Sequence, residues 1–148
     1  MNDKEKNDLF YLCSLIEFLG RKTKNHRGEI VKILGIKEIK RQLSLAEVNH
    51  CLSFDEVAEE LIEYFNIKDG DFDTVKSCKY EVPSVQSIGK EYQRLILDVK
   101  KSNEDIAQVV FNVFLSFISD EISNFNSSVY YSSPEYLKYS YMEGKLLV

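Results

Sequence analysis

Asp69, Asp71 and Asp73 occupy the first, third and fifth positions of a stretch beginning DGDFD, the spacing at which an EF-hand loop presents its opening carboxylates to calcium. The rest of such a loop is missing. Its sixth position, where glycine makes the sharp turn, is Thr74, and its twelfth, where a bidentate glutamate belongs, is Tyr80. Three carboxylates alone supply too few ligands, so an acidic surface turn is expected. SIGK, Ser87 to Lys90, ends like a phosphate-binding loop but has no glycine five residues before Gly89 and no Ser or Thr after Lys90, and it reads as helix. No serine sits in a G-x-S-x-G elbow. His50 and Cys51 are neighbours, and adjacent helical positions point about 100° apart. A buried thiol beside a surface imidazole is therefore expected, not a metal pair completed by Cys13 or Cys78. No metal and no cofactor are expected.

Arg21 and His26 fit the pattern R-x4-H, which resembles the catalytic motif of HEPN ribonucleases, a family of helical bundles of about this size. The resemblance implies that His26 acts as general base or acid toward a ribose 2′-OH while Arg21 stabilises charge on the phosphorane. In that family the motif lies at the start of a late helix that pairs across a dimer. Here it follows the first helix, so Arg21 and His26 stand as the alternative catalytic pair and no enzyme is expected.

The net charge of −5 conceals a split. Residues 21–41 hold eight basic side chains against Glu29 and Glu38, a net of +6, and the remainder carries −11. Such asymmetry bears on association more than on fold. One association it permits is with nucleic acid, through Lys22, Lys24, Arg27, Lys37, Lys40 and Arg41. RGEIVKILGIKEIKRQL also resembles a helix-turn-helix about Gly35, with Ile30, Leu34 and Ile36 where core residues belong. Arg41 and Ser44 then fall where that motif wants aliphatic residues, and Val31 where it wants a small one. Two packed helices with a solvated basic face are expected instead.

The elements that must position these residues are helical. With 148 residues the folded surface should be roughly 7,800 Å², and 44% hydrophobic with 29% charged residues is a globular composition. Two prolines and six glycines interrupt little. A central helix is expected from about Asp8 to Gly20, followed by a polar, basic connection, RKTKNHRG, without core residues. Short helices follow over Glu29 to Leu34 and Lys37 to Leu43. Ser44 with Glu47 and Ser53 with Glu56 match the capping box, the second more convincingly. Residues 66–82 read as irregular. Pro83 and Ser84 start a helix to about Lys101, and Asn103 caps a buried one that continues toward Phe125, with Gln108, Asn112 and Ser116 on one wet stripe. Ser133, Pro134 and Glu135 begin a terminal helix. The expected fold is all-α: one domain over residues 1–148, an irregular bundle of six or seven helices with room for one short extended stretch near residues 72–82.

After Ser53, the residues Phe54, Val57, Ala58, Leu61, Ile62 and Phe65 repeat at i, i+3, i+4 and i+7, while Asp55, Glu56, Glu59, Glu60 and Glu63 take the other side. Like charges four apart oppose helix formation by a few tenths of a kcal/mol each. A cationic group should therefore lie opposite them, either the chain's own residues 21–41, which is favoured, or a basic surface on another protein. Tyrosines crowd the end of the chain, with Tyr130, Tyr131, Tyr136, Tyr139 and Tyr141 in its last nineteen residues. In a helix from Pro134 the rings cannot all enter one core. The simpler expectation is a terminal helix folded back with phenols reaching water. The sharper one is a contact surface, since tyrosine offers large area at small rotamer cost.

LFYLCSLIEFLGRKTKN, YEVPSVQSIGKEYQRLILDV and SYMEGKLL resemble stretches of a set of small, uncharacterised helical proteins of low-GC Gram-positive bacteria and their mobile elements. The resemblance implies a bacterial, cytoplasmic protein and brings no activity with it. No apolar run reaches the ~20 residues of a membrane span, the N-terminal MNDKEKND has no signal core, and three cysteines without metal spacing fit reduced thiols. The function expected is a non-catalytic interaction module, of the adaptor, regulator or antitoxin-like kind. It would bind a protein partner or self-associate through Glu56, Glu59, Glu60 and Glu63 together with Tyr136 and Tyr139. Nucleic-acid binding is the second reading.

Overall fold

A computed structural model describes all of residues 1–148. It holds seven α-helices and no strand. The accessible surface is 8133 Å², close to the value that chain mass alone implies.

α1 runs Asp3–Thr23, longer at both ends than the apolar run. The Asn2 side chain accepts from the Glu5 N–H and the Glu5 carboxylate accepts from the Asn2 N–H, a capping box that starts the helix in charged sequence. At the other end Lys24 adopts the left-handed conformation and closes the helix. The expected basic connection thus shrinks to three residues. It is not free of core residues either, because Thr23 and Arg27 are both buried.

α2 spans Arg27–Asn49 as two helical stretches that meet at Gly35, the break expected between them, each longer than expected. Gly35, at φ 77° and ψ 166°, kinks it in a region essentially restricted to glycine. Ser44 lies inside this helix and donates to the Arg41 carbonyl, so its match to a capping box is incidental. α3, Phe54–Phe65, starts at the expected Ser53–Glu56 box. α4, Val85–Val99, is capped by Ser84. α5, Ile106–Leu115, begins after Asp105, not Asn103, and breaks at Ser116, whose hydroxyl caps α6, Phe117–Ser123. α5 and α6 bend by 65° at that break, and no single helix is long and apolar enough to cross a membrane. A 3-10 turn at Val129–Tyr131 precedes α7, Pro134–Glu143, which Ser133 caps.

α1 is the axis of the bundle, flanked by α4, α2 and α3, with α5 against α2 and α7 against α4. Thirty buried apolar residues form one cluster drawn from all seven helices. α1 and α4 approach closely because Gly89 faces Ser14, whose hydroxyl fills the space a side chain at Gly89 would need. The extended stretch near residues 72–82 is absent. That segment is irregular and is held by Asn126, which donates to the Ser77 carbonyl at 2.9 Å and accepts from the Lys79 N–H at 2.8 Å.

Candidate partner-binding surface

α3 seats its apolar face by burying Val57, Ala58 and Leu61 and by stacking Phe54 on Tyr11 and Phe18 of α1, with centroids 5.5 and 5.6 Å apart. Its carboxylates face outward in two groups. Asp55 and Glu59 both accept from Lys22 Nζ, at 3.0 and 3.1 Å. These hydrogen bonds, that to Asp55 first, raise the Lys22 pKa. Glu56, Glu60 and Glu63 are exposed, and no cationic side chain lies within ion-pair distance of any of them. The internal pairing expected for this helix therefore holds for one edge, and the other remains unopposed.

The basic segment is largely spent inside the molecule. Lys22 goes to α3, Lys32 to Glu29, Lys40 to Asp105 at 3.3 Å and Arg41 to Glu38 at 3.0 Å. Arg21 and Arg27 converge on Glu17. Only Lys24 and Lys37 of the eight lack a carboxylate partner. Arg27, a candidate for phosphate contact, has no exposed surface at all.

Arg21 and His26 are held by separate sets of partners. Arg21 Nε donates to Glu17 at 2.7 Å and its Nη2 to the Pro83 carbonyl at 2.8 Å, and the guanidinium lies 5.0 Å from the Phe125 ring centroid. His26 stacks on Phe72 at 3.8 Å and shares a 2.8 Å hydrogen bond from Nδ1 with Asp120. The two side chains thus tie Phe72, Pro83 and α6 to the corner between α1 and α2.

The Glu17–Arg27 pair is the polar centre that sequence reasoning missed. Its two hydrogen bonds measure 2.9 Å each. Burial alone would lower the Arg27 pKa, but the charge and hydrogen bonds of Glu17 more than offset it and hold the guanidinium above its ordinary value. Gly20 makes the space, since a side chain there would collide with that of Arg27. The available signal was Glu17 within an otherwise apolar run, with Arg21 one turn later and an arginine just beyond the helix.

Tyr136 is half-buried and donates to the Leu147 carbonyl at 3.0 Å, whereas Tyr139 keeps 49% of its surface exposed. α7 packs on α4 and α3 on α1 and α2, so the two expected halves of a partner surface rest on different neighbours. Asp69 and Asp71 are exposed, and Asp73 accepts from the Lys76 N–H. No three His, Cys, Asp or Glu side chains are grouped to hold a metal ion. Cys51, expected to be buried, is exposed beside His50 because the two lie at the α2–α3 corner, outside the bundle. Burial pushes the Cys13 thiol far up.

Fold and surface together define an all-α bundle with one unopposed acidic helix edge. Among known proteins, no family model, no curated protein and no solved structure matches the chain.

Proposed function

We propose that this chain is a non-catalytic protein–protein interaction module, of the adaptor, regulator or antitoxin-like kind, acting in the cytoplasm of a bacterium. It holds a protein partner, or another copy of itself, through the exposed edge of α3. The observation that carries this reading is that Glu56, Glu60 and Glu63 have no cation opposite them while Asp55 and Glu59 of the same helix are matched by Lys22. Glu56 is held by Ser53 at the helix start, but Glu60 and Glu63 lie beyond the first turn, where like charges on one face weaken a helix, and a basic surface on a partner removes that cost. Tyr139 and the rim of Tyr136 extend the contact on α7 or form a second one.

Co-purification tests it. Tagged wild-type chain should retain a specific protein, a second species or untagged copies of the chain, and the Glu60→Gln, Glu63→Gln double variant, which leaves the Ser53–Glu56 cap intact, should lose it without a change in thermal melting. Equal retention by both proteins removes the acidic edge from consideration. Nucleic-acid binding, the second reading, keeps Lys24 and Lys37 as its unpaired cations; affinity falling steeply with salt and lost on Lys37→Gln would favour it.

A further inference from the structure

Beyond Gly35 the second half of α2 stands apart from the C-terminal half of α3, leaving an open groove of about 540 Å³ between them. Leu34, Leu45, Leu61 and Phe65 line it. Tyr64 stands on the α3 lip with 82% of its surface exposed and touches Phe65 edge-on, at 4.9 Å between centroids. Val48, one turn beyond Leu45 on α2, is 67% exposed. Leu34 and Leu61 form the buried floor, and Tyr64 and Val48 stay open to water.

The two rims carry opposite charge. Lys37 and Arg41 stand on the α2 side and Glu60 on the α3 side. Arg41 is bound to Glu38, which lies almost wholly out of water, but Lys37 and Glu60 have no ionic partner. A partner of one sign would satisfy one rim and be repelled by the other. A second copy meets both demands. When the two-fold axis runs along the groove, each basic rim lies over the acidic rim of the other copy, and the contact is made twice. The same operation buries both Tyr64 rings, the kind of aromatic anchor that dominates interface energy.

We propose that the groove between α2 and α3 is a self-association surface on which two copies of this chain pair, Lys37 of each facing Glu60 of the other. This rests on the reading of α3 as an interaction surface and names the partner that its C-terminal half takes.

Sedimentation velocity over a concentration series, with thermal melts as the folding control, tests the pairing. Wild type should show a concentration-dependent dimer. Glu60→Lys and Lys37→Glu should each weaken it at least ~10-fold, because each places like charges opposite one another twice. An equimolar mixture of the two variants should recover a heterodimer of about wild-type affinity, since the repulsive pairs become attractive ones. Wild type that stays monomeric throughout overturns the pairing, as does a dimer indifferent to both reversals. Failure of the mixture to recover, with both variants melting normally, overturns it too. Should wild type be monomeric while a different protein still co-purifies in a Glu60-dependent way, self-association falls and the interaction module stands.

Discussion

Glu17 and Arg27, ten residues apart in the chain, meet through two 2.9 Å hydrogen bonds with neither side chain exposed to water. Glu17 also accepts from Arg21, which keeps some solvent and a second acceptor in the Pro83 carbonyl. The partners are therefore unequal. Glu17 is the one carboxylate on Arg27, whose remaining acceptor is the neutral Asn25 carbonyl, whereas Glu17 retains the charge of Arg21 if Arg27 is lost.

That inequality sets the outcome of mutation. Glu17→Leu strands a buried guanidinium and should destabilise the fold by about 3–5 kcal/mol in urea unfolding. Arg27→Met should cost less. The double variant should regain most of the loss, because apolar residues of similar volume commonly replace a buried pair at little cost. A double variant as unstable as Glu17→Leu alone would rule this account out.

Gly35 and Gly89 are needed for different reasons, and alanine separates them. At Gly35 no atom lies within 4 Å of an added methyl, so the cost is the backbone conformation alone, about 1–3 kcal/mol. At Gly89 the backbone is helical, and the methyl would strike the Ser14 hydroxyl and lie 3.0 Å from its Cβ. Adding Ser14→Gly should rescue part of the stability lost in Gly89→Ala and none of that lost in Gly35→Ala. Equal response to the second change would contradict the assignment.

The apolar stripe and cap of α3 were legible because a period of 3.6 and a Ser-x-x-Glu box are local signals. So was the start of α7 at Ser133-Pro134. The break at Gly35 was legible because glycine between two apolar-patterned stretches is a local signal, whereas the lengths of the two stretches depend on how α2 packs on α1 and α5. Arg27 was misread because its position suggests a polar connection. What buries it is a carboxylate on another helix and the missing side chain of Gly20, neither visible to a local pattern. The acidic edge of α3 was half legible: repulsion predicts that a cation is needed, but which carboxylates Lys22 reaches depends on how α3 lies on α1.

Glu91 gives a pH dependence. It is partly buried on α4, and burial pushes its carboxyl above the ordinary range. The folded chain therefore holds this proton after the unfolded chain has released it. The site's contribution is at its most favourable below the ordinary glutamate value, about 4.3, and declines as pH rises through the folded value. Glu91→Gln removes that decline. Unfolding midpoints of wild type and variant at stepped pH should diverge in favour of the variant as pH rises from 4 toward neutral, and a constant difference across the series would refute it.

α7 separates packing from display. Leu137 is buried against α4, and Ser140 is also buried, its hydroxyl accepting from the Leu147 N–H at 3.1 Å and tying the chain end back. Leu137→Ala should therefore cost about 2–5 kcal/mol. Tyr139, half in water, should tolerate alanine within about 0.5 kcal/mol. Removing residues 134–148 should lower the melting temperature sharply, because it strips Leu137 from the face of α4. An unchanged melting curve after that deletion would mean that α7 contributes no packing to the isolated chain and that its apolar face belongs to a partner instead.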